Sequence, residues 1–163
     1  MLITIKNKDT LTIDNFIFRC SVGKNGIIKN KREGDKATPK GLFSISKLYY
    51  RADRVNKPQT KISTKVITKK MGWCDNPTSC HYNKEFEITK KLKHEKLFKK
   101  DNSYDYFIVI DYNTKKIIPF KGSAIFIHLT ENYKKTAGCI ALRKKDFIIL
   151  TKLINKKTKI KIC

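Results

Sequence analysis

The sequence predicts a mainly β domain, a sandwich or open barrel carrying one or two helices. Three observations predict it. Short runs of β-branched and aromatic residues recur from the N-terminus to the C-terminus. Clusters of Asn, Asp, Gly and Pro separate them as turns. Only two segments, 89–100 and Asp146–Asn155, carry helix-like apolar spacing. At 163 residues, with no repeat and no linker, the chain is expected to form a single domain over 1–163 with one core.

The elements follow in order. MLITI and TLTIDNFIFRCSV read as strands split by the turn Lys6-Asn7-Lys8-Asp9. Gly23 to Gly41 reads as loop. Its glycines form no phosphate loop, because no Gly-Lys-Ser/Thr follows and no helix opens. LFSISKLYY alternates and reads as a strand. Arg51 to about Ile88 is polar and irregular, the pattern of a functional wall or lid. TKKLKHEKLFKK, 89–100, reads as a short basic helix with Leu92, Leu97 and Phe98 as its apolar side. Tyr104–Tyr112 and Ser123–Leu129 read as buried strands, the second ending at His128 and Leu129. DFIILTKLIN reads as an amphipathic helix with Asp146 near its start, and TKIKIC as a closing strand.

Composition narrows the classes of function. The net charge is +23, from 37 Lys+Arg against 14 Asp+Glu. Such a surface attracts polyanions, whether nucleic acid, anionic lipid or an acidic wall polymer. Lysine dominates: only Arg19, Arg32, Arg51, Arg54 and Arg143 are arginine, and the lysines are scattered among residues with AT-rich codons. No nucleic-acid module or arginine–aromatic cluster is present, so no dedicated nucleic-acid partner is expected. No run approaches the ~20 apolar residues of a membrane helix. MLITIKNKDTLTID has no apolar leader core, so no signal peptide is expected in it. Of Cys20, Cys74, Cys80, Cys139 and Cys163, an odd set, at least one stays unpaired. Cys74, Cys80 and His81 fit no standard metal spacing, so no metal is expected. A Cys74–Cys80 disulfide remains open for a protein working outside the cytoplasm.

The most direct pointer to a reaction is GSAIFIHLTENYKKTAGCIAL, where His128 ends an apolar run and Thr136-Ala137-Gly138-Cys139 follows after a short loop. A thiol is a poor nucleophile at neutral pH until a base removes its proton, and imidazole is the usual base. A glycine before the cysteine allows a tight turn, so that backbone N–H groups can bind the oxyanion of an attacked carbonyl. These types in this order suit acyl transfer through a thioester. Spacing alone leaves an ordinary buried cysteine and a structural histidine as an equal alternative. His81 and His94 lie in the irregular segment and on the basic helix.

Gly122-Ser123-Ala124-Ile125-Phe126-Ile127-His128 followed by Thr136-Ala137-Gly138-Cys139-Ile140 resembles the active-site signature of the YkuD-type L,D-transpeptidases. Lys31-Arg32-Glu33-Gly34-Asp35 with Ala37-Thr38-Pro39-Lys40-Gly41 resembles that family's turn before an early strand. Tyr50-Arg51-Ala52-Asp53-Arg54, Gly72-Trp73-Cys74-Asp75-Asn76-Pro77 and Tyr82-Asn83 resemble one bacterial branch. The matches run from about Arg19 to Asp146. The resemblance implies a β-sandwich-like catalytic fold and peptidoglycan stem peptides as donor and acceptor. It implies Cys139 as nucleophile, His128 as base and then acid, and no cofactor. D-alanine would leave, and a 3→3 cross-link would form.

By the same resemblance Thr136 stands at the family's small hydroxyl position, orienting the histidine or the donor stem. Ala141 stands where the family carries arginine, which puts Arg143 forward for a substrate carboxylate. Ala137 stands where many members carry a second histidine, so the base falls to His128 alone. Trp73, Tyr82, Arg51 and Arg54 are the remaining candidates for the donor groove, each with ordinary packing or a salt bridge as an equal alternative. The substrate implies the periplasm or cell envelope, and a monomer is expected. The rival readings are an L,D-carboxypeptidase or endopeptidase using the same site, and a non-catalytic basic binder of wall polymer or nucleic acid.

Overall fold

A computed structural model describes residues 1–89 and 92–163. The chain opens with a meander of β1 (Leu2–Lys6), β2 (Thr10–Ile13) and β3 (Phe16–Ser21). Asn7 and Lys8 turn the first hairpin with φ of 53° and 65°, in a three-residue loop that Asp9 completes by donating its N–H to Lys6 O. A second turn at Asp14, φ 47°, splits the run that reads as one strand in the sequence. Asp is among the few residues other than glycine that visit this left-handed conformation.

Next come a short parallel pair, β4 (Ile27–Ile28) and β5 (Thr38–Pro39), and the long β6 (Gly41–Tyr50). β7 (Ser63–Val66), β8 (Met71–Cys74), β9 (Glu85–Glu87) and β10 (His94–Lys96) follow. A 3-10 turn at Asn102–Tyr104 leads into β11 (Tyr106–Ile110), β12 (Phe126–Leu129) and β13 (Ile140–Leu142). Helix α1 (Lys144–Leu153) and β14 (Lys159–Ile162) close the chain. Asp146 does lie in the first turn of α1, where a carboxylate favours the exposed N–H groups.

The main sheet runs β11-β12-β13-β3-β2-β1-β14-β6-β7, with β11 also paired to β6. β3 and β6 change partners part way along. β3 pairs β2 through Arg19 and β13 from Cys20, while β6 pairs β14 through Ser44 and β11 from Ile45. These two strands turn the corners between the halves of the mainly β, sandwich-like architecture expected from the sequence.

One core fills the interior with Ile5, Leu11, Leu48, Ile127, Leu142 and, from α1, Phe147. A second lies outside β11 and β12 and holds Trp73, Leu97, Tyr104, Phe107, Phe126 and Cys139. β11 is buried on both faces, so its sequence YFIVI is continuously apolar. Tyr106, Ile108 and Ile110 enter the first core, and Phe107 and Val109 the second. The same two-residue period puts Phe126 and His128 on the outer face of β12. A small antiparallel sheet, β10-β8-β9, covers the second core.

The helix expected over 89–100 does not form among the described residues; Lys90 and Lys91 of that span lie outside them. β10 pairs β8 instead, with His94 opposite Cys74 and Lys96 opposite Gly72. Gly72 admits this approach, since a Cβ there would stand 3.0 Å from the His94 ring. The carbonyls of Lys99, Lys100 and Asp101 accept from Arg51 and Arg54 rather than from a helix ladder. Leu97 is 0% exposed. Leu97→Ala should therefore destabilise the protein by about 2–5 kcal/mol in urea or thermal unfolding, whereas a leucine on a weakly packed surface helix would lose far less.

Candidate active site

β12 and β13 run parallel in register, with Ile127 opposite Ile140 and His128 opposite Ala141. Cys139 therefore enters β13 beside Phe126. The Phe126 N–H donates to its Sγ at 3.4 Å, and the thiol donates to Ala124 O at 3.2 Å. Ala124 is held at φ 52°, a conformation that alanine seldom adopts. Its N–H is held by Asn83 Oδ1 at 3.0 Å. Burial pushes the Cys139 thiol up to about 12, and the Phe126 N–H opposes that rise.

His128 Nδ1 lies 2.9 Å from Leu129 O. A carbonyl only accepts, so Nδ1 carries the proton and Nε2 is left as the acceptor. The ring packs edge-on to Tyr104 at 5.4 Å. Burial lowers its pKa to about 4, against the opposing Leu129 hydrogen bond. At neutral pH the two groups are thus a thiol and a neutral imidazole. Both line one cavity of about 1070 Å³, together with Lys31, Glu95, Tyr104 and Ala141.

The Gly-Cys turn is clamped from two sides. Thr136 Oγ1 donates to Cys139 O at 2.6 Å and accepts the Gly138 N–H at 3.1 Å. Thr38 Oγ1 donates to Gly138 O at 2.9 Å and accepts from Gly23 N at 2.9 Å. Gly138 has φ 141°, and a Cβ there would stand 2.9 Å from Ala37 O. Glycine is required both by that conformation and by that contact. The Thr136 hydroxyl is thus engaged with the turn rather than with His128. The Gly138 N–H is therefore already engaged by Thr136 Oγ1.

The other sequence candidates stand outside the residues lining this cavity. Trp73 is buried in the second core, its Nε1 donating to Asn83 Oδ1 at 2.9 Å and its ring edge-on to Phe126. The Tyr82 hydroxyl donates to Glu33 and accepts from Gly122 N, and Ser123 Oγ donates to the same Glu33 oxygen. Trp73 and Tyr82 therefore brace the 122–126 segment from behind. Arg51 grips the Asp53 carboxylate with two 2.7 Å bonds, donates to Lys99 O at 2.7 Å and covers the Phe98 ring. Arg54 bonds Lys100 O, Asp101 O and Asp105. Both arginines hold the segment whose Tyr104 packs on His128. Arg143, exposed at the start of α1, lies over Tyr133 with Arg19. All five cysteines are free thiols, Cys74 and Cys80 included.

Several residues of the site escaped the sequence reading. Lys31 and Thr38 fall within the quoted Lys31–Gly41 stretch, so a signal existed without a role. Asn83 likewise falls within the quoted Tyr82-Asn83 without a role, and Tyr104 was read only as the start of a strand, because their importance lies in contacts with Ala124 and His128.

Two outcomes follow from this geometry. Thr136→Val removes the shared partner of a buried N–H and C=O and should cost about 1–3 kcal/mol on unfolding, while Thr136→Ser stays near wild type. The second concerns pH. The lowered His128 pKa means that the unfolded chain binds the proton more readily than the folded one. Stability should therefore fall as pH drops from about 6.5 to about 4, and this slope should flatten in His128→Gln; unfolding curves at several pH values read it.

The model of the L,D-transpeptidase catalytic domain family, YkuD, matches residues 2–162. No curated protein matches the chain. Among the described residues no helix is long and apolar enough to cross a membrane. With the match extending over nearly its whole length, this chain belongs to the YkuD family of L,D-transpeptidase catalytic domains.

Proposed function

We propose that the chain acts, as a single catalytic domain, on peptidoglycan stem peptides in the cell envelope, forming 3→3 cross-links through a thioester on Cys139. The observation that carries this reading is one cavity lined by a thiol at a clamped Gly-Cys turn and by an imidazole with its Nδ1 tied back to Leu129 O. Because both groups rest uncharged, the proton leaves Sγ as Sγ attacks the carbonyl of the diaminopimelate residue, and His128 Nε2 receives it. The oxyanion forms against the Cys139 N–H. Collapse breaks the amide C–N bond, and His128 returns the proton to the leaving amine of D-alanine. The side-chain amine of a second stem then attacks the thioester and passes its proton to His128, and the thiol is regenerated.

Incubation with purified muropeptides tests the transfer step. Cross-linked dimers and free D-alanine are the expected products; trimmed monomers without dimers would assign the protein to the hydrolases instead. Mass spectrometry after exposure of the reduced protein to a carbapenem should find the adduct on Cys139, and its absence would argue for the non-catalytic binder. Cys139→Ala should abolish turnover with the fold intact, and His128→Ala should slow it by roughly 10²–10⁴-fold.

A further inference from the structure

Lys31 is a lysine in an unusual place. Its side chain is 3% exposed, although lysine heads normally stay in water and a buried ammonium needs partners. Nζ donates to Asp35 Oδ1 at 2.7 Å and to Arg32 O at 3.4 Å. An ammonium has three donors, and the third finds no protein partner among the described residues. The side chain runs along Gly122, where a Cβ would fall 2.8 Å from its Cε. It ends beside Gly138, where a Cβ would stand 3.5 Å from Nζ. The ammonium end of the Lys31–Asp35 pair is thus the end at the nucleophile's turn.

Asp35 is already saturated. Its oxygens also accept from Arg32 N at 2.6 Å and Ala37 N at 2.9 Å, and its carboxyl lies below the usual carboxylate range, against the rise that burial alone would give, because of these bonds and Lys31. The carboxylate therefore holds the 31–37 loop in shape and carries Lys31 to the cavity wall. The other cavity lysines differ. Lys36, Lys93, Lys100, Lys134, Lys135 and Lys144 are exposed, and water and salt screen them. Lys99 is 28% exposed, paired to Glu95 at 2.7 Å and laid over the Tyr104 ring.

Proton transfer from Sγ creates negative charge on a sulfur that is itself nearly buried. The groups facing Cys139 there are His128 on β12, Tyr104 on the 3-10 turn, Glu95 on β10 with Lys99 after it, and Lys31 from the loop before β5. Glu95 opposes a thiolate, and Lys99 is engaged by Glu95. We propose that Lys31 is an electrostatic positioning residue of this site: its buried ammonium, delivered behind Gly138 by Asp35, stabilises the thiolate of Cys139 as the imidazole takes the proton. The proposal rests on Cys139 as the nucleophile.

Iodoacetamide alkylation of the full-length protein tests it, with the rate read at the Cys139 peptide by mass spectrometry between about pH 6 and 9. In this reaction the C–S bond forms, iodide leaves, and only the thiolate reacts. An opposite charge nearby typically moves a pKa by about one unit or more, so Lys31→Gln should alkylate about tenfold more slowly at each pH, parallel to wild type. Lys31→Arg keeps a cation beside Gly138 and leaves Asp35 in place, so it should react close to the wild-type rate. A loosened loop would instead move both variants the same way. The wild-type rate should change less than twofold between about 0.05 and 1 M NaCl, because salt reaches exposed lysines and not a buried one. A wild-type rate in Lys31→Gln, slowing in both variants, or a several-fold loss with salt would each overturn the proposal. Should Lys31→Gln fail to fold, the salt series on the unaltered protein decides. The readout needs no wall substrate, so failure of carbapenem or muropeptide chemistry would sink the acyl-transfer reading without deciding this one.

Discussion

The parallel pairing of β12 with β13 is the constraint on which the site depends. Parallel neighbours cannot be joined by a tight hairpin, so residues 130–139 must travel back to the start of β12 before β13 begins. That return delivers Cys139 to the level of Phe126, with His128 on the same outer face two residues on. Had the two strands formed an antiparallel hairpin, the residue entering the second strand would lie beside the end of β12. The returning segment is itself tied down: Thr136 N donates to Val22 O, Lys24 N to Thr136 O, and the Ser21 hydroxyl to Lys134 O. The β3 end of the barrel therefore locates Cys139.

Burial then sets the chemistry. Cys139 and His128 border a core of Trp73, Phe107 and Phe126, and desolvation disfavours the charged form of each. The pair rests as thiol and imidazole. In the proposed reaction charge appears only when a carbonyl is in position to accept attack, which restrains a side reaction with water or oxidant at a resting thiolate. The arrangement places a premium on fixed dipoles and charges that face the sulfur, because these need no reorganisation when the proton moves.

The wall around the pair is held from behind by Arg51, Arg54 and Asn83. Arg51 and Arg54 collect the carbonyls of Lys99, Lys100 and Asp101 and so hold Tyr104 over His128. Asn83, itself bonded to Trp73, holds Ala124 in a left-handed conformation that turns its carbonyl to the thiol. Arginines and aromatics that look like groove residues in the sequence act here as braces, because a guanidinium satisfies several carbonyls at once as readily as it binds a carboxylate.

Much was legible in the sequence. A β-branched run marked β1, two-residue alternation marked β6 and β14, apolar character marked β11 as buried, and α1 showed its stripe with Asp146 at its start. The residue types of His128, Gly138 and Cys139, with the motifs around them, pointed to one reaction class. These signals are local, carried by neighbours in the chain. Local spacing failed at 94–96, where the free edge of β8 and the space for Leu97 outweighed a weak helical pattern. It was silent where partners come from afar: Thr38 reaches Gly138 across a hundred residues, and Lys31 is one lysine among many until folding buries it beside that same glycine. The sequence by itself determined the long strands at the two ends and centre of the fold, helix α1 and the candidate reacting groups. Only the tertiary structure decided which side chains surround them and with what charge, because burial and hydrogen-bond partners belong to contacts that no short stretch of chain contains.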